Sequence, residues 1–160
     1  MTAGLTLRPP READVPLVSR AIAESYEHLR RWSPWARPDG DPAGQRRWIR
    51  EMSASPADRV FTAWLERSVP VGACGVHARI APTGREIGYW VHVAYTRRGI
   101  ATEMGRRMVA LAFEDPAVDH VEIRHHPDNV ASAGIPAKLR FVRLSEADER
   151  GHVIWRLTRF

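Results

Sequence analysis

A single cysteine, Cys74, is the only thiol in this 160-residue chain. No internal disulfide can form, and a reducing cytoplasm is the setting that composition fits. No apolar run approaches the roughly 20 residues that a membrane-spanning helix needs, so a membrane protein is not expected. The opening Met1-Thr-Ala-Gly-Leu-Thr-Leu-Arg-Pro-Pro lacks the basic-then-apolar order of a secretory leader. No internal repeat and no block of five like charges occurs. Two phosphate motifs are also missing: without G-x-x-x-x-G-K-[ST] a P-loop nucleotidase is disfavoured, and without G-x-G-x-x-G so is a Rossmann site.

What remains is ordinary for a folded protein: 44% apolar and 27% charged residues, enough for one domain over residues 1–160 with its own core. The formal net charge is +5, and arginine supplies nearly all of the positive side. Such a balance attracts polyanions, whether nucleic acid, a ribosome surface or a phosphate-rich cofactor; solvated surface charge explains it equally well. Aromatics do not cluster within the basic stretches, which argues against specific nucleic-acid recognition.

The periodicities predict an α/β chain. Leu5-Thr-Leu-Arg alternates as a short strand closed by Pro9-Pro10. Val15, Val18, Ile22, Ser25 and Leu29 recur at helical spacing and predict one continuous helix. The stretch Trp32-Ser-Pro-Trp-Ala-Arg-Pro-Asp-Gly-Asp-Pro then breaks helix repeatedly, and Gln45–Met52 reads as a second, shorter helix. Val60–Leu65, Val69–Ile80 and Glu86–Val93 read as strands, Gly99–Phe113 as an amphipathic helix and Val121–Arg124 as a strand. Val130–Leu139 reads as a helix that must absorb Pro136. Phe141–Leu144 and Val153–Leu157 close the chain as strands. The order β-α-α-β-β-β-α-β-α-β-β predicts a single, mainly antiparallel sheet of about seven strands flanked by about four helices.

The chemistry concentrates in Trp90-Val-His-Val-Ala-Tyr-Thr-Arg-Arg-Gly-Ile-Ala-Thr102. A strand ends, a short basic loop follows and a glycine opens a helix. The first turn of a helix has free N–H groups and the positive end of the dipole, so a phosphate is stabilised there. Gly99 and Ala101 let the backbone approach closely, and Arg97 and Arg98 add charge. Taken alone, the run is equally well a structural loop-to-helix join.

Three segments together carry a resemblance: Glu86-Ile-Gly-Tyr-Trp-Val, then Thr-Arg-Arg-Gly-Ile-Ala-Thr-Glu103, then Asn129-Val-Ala-Ser132 ahead of Lys138-Leu-Arg-Phe141. With Glu24-Ser-Tyr-Glu-His-Leu-Arg-Arg-Trp-Ser-Pro-Trp35 upstream, they resemble, in register, the GNAT superfamily of N-acetyltransferases. The likeness is to its RimJ/RimL branch, which acetylates ribosomal-protein N-termini, and it covers almost the whole chain. It implies a GNAT fold, acetyl-CoA or another acyl-CoA as co-substrate, no metal, and an amine acceptor that is a protein N-terminus or a small molecule. It also admits a homodimer, since dimers occur in that branch. The implied cofactor-binding residues are Val91, His92 and Val93 on the strand, Arg97, Arg98, Gly99, Ile100, Ala101 and Thr102 in the loop and first helical turn, and Asn129. Trp32 and Trp35 would wall the acceptor pocket or anchor their loop. Three positions depart from the family pattern. Thr96 and Arg97 stand where Gln or Arg and then Gly are common, and Arg140 replaces a glycine, which costs stability if that position needs positive φ. Pro136 occupies the place of a tyrosine that protonates the departing thiolate in many relatives.

Direct transfer to an amine needs a proton acceptor, an oxyanion donor and a proton for the sulfur. Glu86 is the candidate base, with a solvated strand residue as the plain alternative. A backbone N–H near Val91 is the candidate donor to the oxyanion. In the RimJ/RimL branch Ser132 would supply the proton; otherwise it bonds locally in a first helical turn. Asn129 also reads as a helix cap, His92 as a substitute base, and Cys74 as a small buried hydrophobe. His125-His126 lacks a third ligand for a metal. A non-catalytic CoA-binding or RNA-associated module is the competing class.

Overall fold

A computed structural model describes residues 3–160; Met1 and Thr2, where the segment read as lacking a leader begins, lie outside the described residues. Seven strands form one sheet: β1 (Leu5–Arg8), β2 (Arg59–Leu65), β3 (Val69–His77), β4 (Gly84–Val91), β5 (His120–His125), β6 (Val142–Ala147) and β7 (Val153–Thr158). Five α-helices join them: α1 (Val15–Glu24), α2 (Tyr26–Leu29), α3 (Pro42–Ala54), α4 (Ile100–Ala112) and α5 (Val130–Lys138). The strand order is β1-β2-β3-β4-β5-β7-β6, and β4–β5 is the parallel pair in an otherwise antiparallel sheet. Parallel neighbours need a crossover, and α4 supplies it.

The sheet is covered on both faces. Met104 and Met108 of α4 are buried against Val71, Cys74, Val76, Ile87, Val121 and Ile123, each methionine worth about 1.5–3 kcal/mol by removal from water. On the other face Ile22 and Leu29 pack with Trp90, because alternation along β4 turns Ile87 one way and Glu86, Gly88 and Trp90 the other.

Two helices differ from the sequence reading. The apolar stripe from Val15 to Leu29 is not one helix: the chain bends at Ser25 (φ −99°, ψ 3°) and resumes as α2, so there are five helices rather than about four. The stripe survives the bend because the two pieces share one buried face, and spacing alone cannot see the break. α3 starts earlier than Gln45, at Pro42, because Asp41 accepts the Gly44 N–H and Pro is tolerated at the first helical position.

Pro136 sits inside α5. Having no N–H, it leaves the carbonyl of Ser132 without its helical donor. The helix then closes with two bonds, Phe141 N–H to Pro136 O at 2.9 Å and Arg140 N–H to Ala137 O at 3.1 Å. These require a left-handed residue between them, and Arg140 takes φ 67°. The substitution of arginine for glycine therefore does store backbone strain.

Candidate active site

The pairing of β4 with β5 covers Gly84–Glu86 against His120–Glu122 and then stops. Beyond Glu86 the strands diverge, while β4 stays paired with β3 as far as Val91. The His92 N–H donates to Val71 O at 2.8 Å, so alternation directs the backbone groups of Tyr89 and Val91 away from β3, into the gap. A ligand arm lying there finds the donors and acceptors of an unfinished strand.

Where β4 leaves the gap, the chain makes a 3-10 turn, Val93–Tyr95, and enters α4 through Thr96–Gly99. Gly99 caps α4 with φ 79°, and no side chain caps this helix. Glu103 N–H is the first amide to bond back, to Gly99 O at 3.0 Å, so the amides of Ile100, Ala101 and Thr102 have no backbone acceptor among the described residues. Three free amides, the helix dipole, and exposed Arg97 and Arg98 fit a pyrophosphate. Arg98 lies 5.0 Å from the Tyr95 ring centre. Arg97 has φ 62°, so like Arg140 it occupies a left-handed position that favours glycine.

The base of this loop is fastened to the end of α1. Val93 N–H donates to Ser25 Oγ at 3.0 Å, and Ser25 is 1% exposed. His92 Nδ1 accepts the Ala94 N–H at 3.0 Å. Its proton is therefore on Nε2, which donates to Glu24 Oε2 at 2.8 Å. That hydrogen bond holds the Glu24 carboxyl below its ordinary range. Both ring nitrogens of His92 are thus engaged, which removes it as a substitute base; it and Val93 brace the loop. Neither tie was legible in the sequence, because Ser25 and Glu24 lie 68 residues from their partners.

Glu86 is on the face of β4 opposite Ile87. It is not simply solvated: Arg79 grips it through two bonds, at 2.9 and 3.2 Å, and its side chain is 17% exposed. Its register partner Glu122 is a buried carboxylate held by Arg124 at 2.8 Å and Arg156 at 2.6 Å. Burial raises the Glu122 pKa, but the two guanidinium groups outweigh it and hold the group below the usual carboxylate range. Arg79, Glu122, Arg124 and Arg156 were missed by the sequence reading; alternation on β5 was the signal that placed Glu122 beside Glu86.

Ser132 is half-buried in the first turn of α5, a helix on the α4 face, so Glu86 and Ser132 stand on opposite faces of the sheet near the gap. Asn129 caps α5, its Oδ1 accepting the Ser132 N–H at 3.3 Å. It thus holds Ser132 in place. Trp32 stacks obliquely on His126 with centroids 5.3 Å apart, and Trp35 meets Trp90 at 6.0 Å. Trp35 therefore lies on the Glu86 face, within the lining of a cavity there, while Trp32 sits against the end of β5. Burial pushes the Cys74 thiol up to about 12, so it is a packed hydrophobe and no nucleophile. His125 is spent on Trp155, whose Nε1–H it accepts at 3.0 Å, and on His126 O at 2.8 Å. Among the described residues no cluster of three metal-ligating side chains occurs, and no helix is long and apolar enough to cross a membrane.

The sequence pattern of the acetyltransferase (GNAT) domain matches residues 4–142. The chain belongs to the GNAT acetyltransferase family. It is an acetyl-CoA-dependent N-acetyltransferase, with the split sheet and the α4 loop of that fold. Solved structures agree in fold. The RimL ribosomal L7/L12 alpha-N-protein acetyltransferase in complex with coenzyme A superposes with a TM-score of 0.83 at 15% identity, covering 98% of this chain and 94% of that one. Mycobacterium smegmatis RimJ in complex with CoA-disulfide gives 0.80 at 22% identity, covering 96% and 81%. An aminoglycoside acetyltransferase in complex with coenzyme A gives 0.77 at 20% identity, covering 97% and 95%. No protein of curated function matches this acetyltransferase by sequence.

Proposed function

We propose that this acetyltransferase carries the acetyl group to the α-amine of a peptide or protein N-terminus, with Glu86 as the proton acceptor. Supporting the protein acceptor are the fold likenesses to RimL and RimJ, the former a ribosomal-protein α-N-acetyltransferase. The carrying observation is the gap beyond Glu86 and Glu122, with a carboxylate at its edge on one face and the first turn of α5 on the other. Acetyl-CoA would lie with its pyrophosphate on the free amides of Ile100–Thr102 and its pantetheine along Tyr89–Val91. The amine nitrogen attacks the thioester carbon and loses its proton to Glu86, directly or through water; the carbonyl oxygen is met by the Val91 N–H; the C–S bond breaks, and the sulfur takes a proton through Ser132, whose hydroxyl regains one from water. Acetyl-CoA as donor, together with a lone buried thiol, fits a cytoplasmic setting.

The test is thiol release from acetyl-CoA with short peptides bearing free N-termini. Glu86→Gln lowers kcat about 100-fold and Ser132→Ala about 10-fold, each with acetyl-CoA affinity unchanged. Wild-type turnover in both variants would overturn the assignment of roles. A small-molecule acceptor is the second reading, favoured by a cavity of about 520 Å³ on the Glu86 face, a size suited to a compact ligand.

A further inference from the structure

The cavity exists because α3 leans on α1 and stands off the sheet. Of its thirteen residues only Ile49 is buried. The floor is made of Ala73, Gly75 and Gly88, residues too small to fill the space, and a Cβ placed on Gly88 meets nothing within 4 Å. Trp48 and Trp90 form apolar walls. Gly88 follows Glu86 by two residues on the same face of β4, and Arg79, which grips Glu86, also lines the cavity. The space therefore opens beside the candidate base.

Its charged groups differ in how they are paired. The cations on the lining are Arg11, Arg37, Arg47 and Arg79; the acids are Asp41 and Glu51. Arg11 is paired with Asp14 and Arg79 with Glu86, while Asp41 is used in capping α3. Arg37 donates only to the carbonyls of Pro34 and Ala36, at 2.6 and 3.0 Å. Arg47 forms no ion pair among the described residues. Arg37 and Arg47 are thus the lining cations without an ion-pair partner, and Asp41 and Glu51 are the acids beside them.

Resting on the acetyl-transfer reading above, we propose that this cavity receives the body of the acceptor, and that the acceptor carries a carboxylate or phosphate met by Arg37 and Arg47. Guanidinium forks bind such oxyanions with paired, charge-assisted hydrogen bonds. A polyamine, with no anion to offer, leaves Arg37 and Arg47 unmet.

The experiment uses the whole chain at saturating acetyl-CoA and two matched acceptor pairs: tryptophan against tryptophanamide, and the peptide Glu-Ala-Phe-amide against Gln-Ala-Phe-amide. The anionic member of a pair shows a kcat/KM about tenfold higher or more. Arg47→Gln abolishes that ratio by raising KM, whereas Arg46→Gln, on the same helix but off the lining, preserves it. The pair that shows the ratio tells a small acid from an acidic peptide. Gly88→Val fills the cavity and raises acceptor KM with acetyl-CoA affinity retained. Equal kcat/KM within both pairs overturns the anion assignment while leaving acetyl transfer intact. If no amine is turned over, calorimetric titration with the same probes decides. Saturable heat from the anionic probe alone, lost in Arg47→Gln, supports the site; identical response to both members of a pair refutes it.

Discussion

Replacing Arg140 by glycine should stabilise this protein. The two bonds that close α5 force residue 140 to φ 67°. For a residue with a Cβ, left-handed backbone costs about 1–2 kcal/mol. Glycine removes that cost but brings a more flexible unfolded chain, which takes back about 0.5–1 kcal/mol. The arginine side chain is exposed and forms no hydrogen bond or ion pair among the described residues, so nothing else is lost. The net gain is about 0.5–1 kcal/mol. In a domain of this size 1 kcal/mol moves Tm by roughly 2–4 °C, so Arg140→Gly should melt about 1–4 °C higher. Arg140→Ala keeps the Cβ and the strain, and should melt with the wild type. Scanning calorimetry and urea titration with an unchanged m-value measure both. A glycine variant no more stable than wild type, or an alanine variant that gains as much, would show that the strain argument is wrong.

The same reasoning applies to Arg97, at φ 62°, with an added functional term. Arg97→Gly should gain about 0.5–1 kcal/mol of stability but weaken acetyl-CoA several-fold by calorimetry, because a charge leaves the pyrophosphate loop. Ser25→Ala removes the acceptor of the Val93 N–H and should cost about 0.5–1.5 kcal/mol; hydrogen exchange at Ala94–Thr96 should speed up, and unchanged exchange there would refute the bracing role. Glu122 has a depressed pKa in the fold, so its contribution is full above the ordinary carboxylate value of 4.5 and is lost as pH falls through the folded value. Urea titrations from pH 7 to pH 3 should therefore fall less steeply for Glu122→Gln than for wild type, with the variant about 2–3 kcal/mol weaker at pH 7.

Functionally, the arrangement divides labour between the faces of the sheet. In the proposed reading the α4 side offers amides for a phosphate and a helix for the leaving sulfur, and the α1 side offers a carboxylate and the cavity under α3. Because β4 and β5 separate where Glu86 and Glu122 face each other, a donor lying in the gap is reachable from both sides.

Local chemistry determined much of this by itself. Period-two alternation in Glu86–Val91 made a strand, with Glu86 and Trp90 turned to one face. The join Arg97–Thr102 had to expose amides because Gly99 ends a strand-loop run and begins an apolar helical stripe. Asn129, three residues before Ser132, was already a cap. These features depend on neighbours in the chain, which is why one sequence reveals them. The tertiary structure alone decided the rest. The parting of β4 from β5, the ties of Ser25 and Glu24 to Val93 and His92, and the grip of Arg79 on Glu86 join distant residues or depend on strand order. The cavity under α3 arises from how α3 packs on α1, and periodicity records which residues share a face without recording what that face meets.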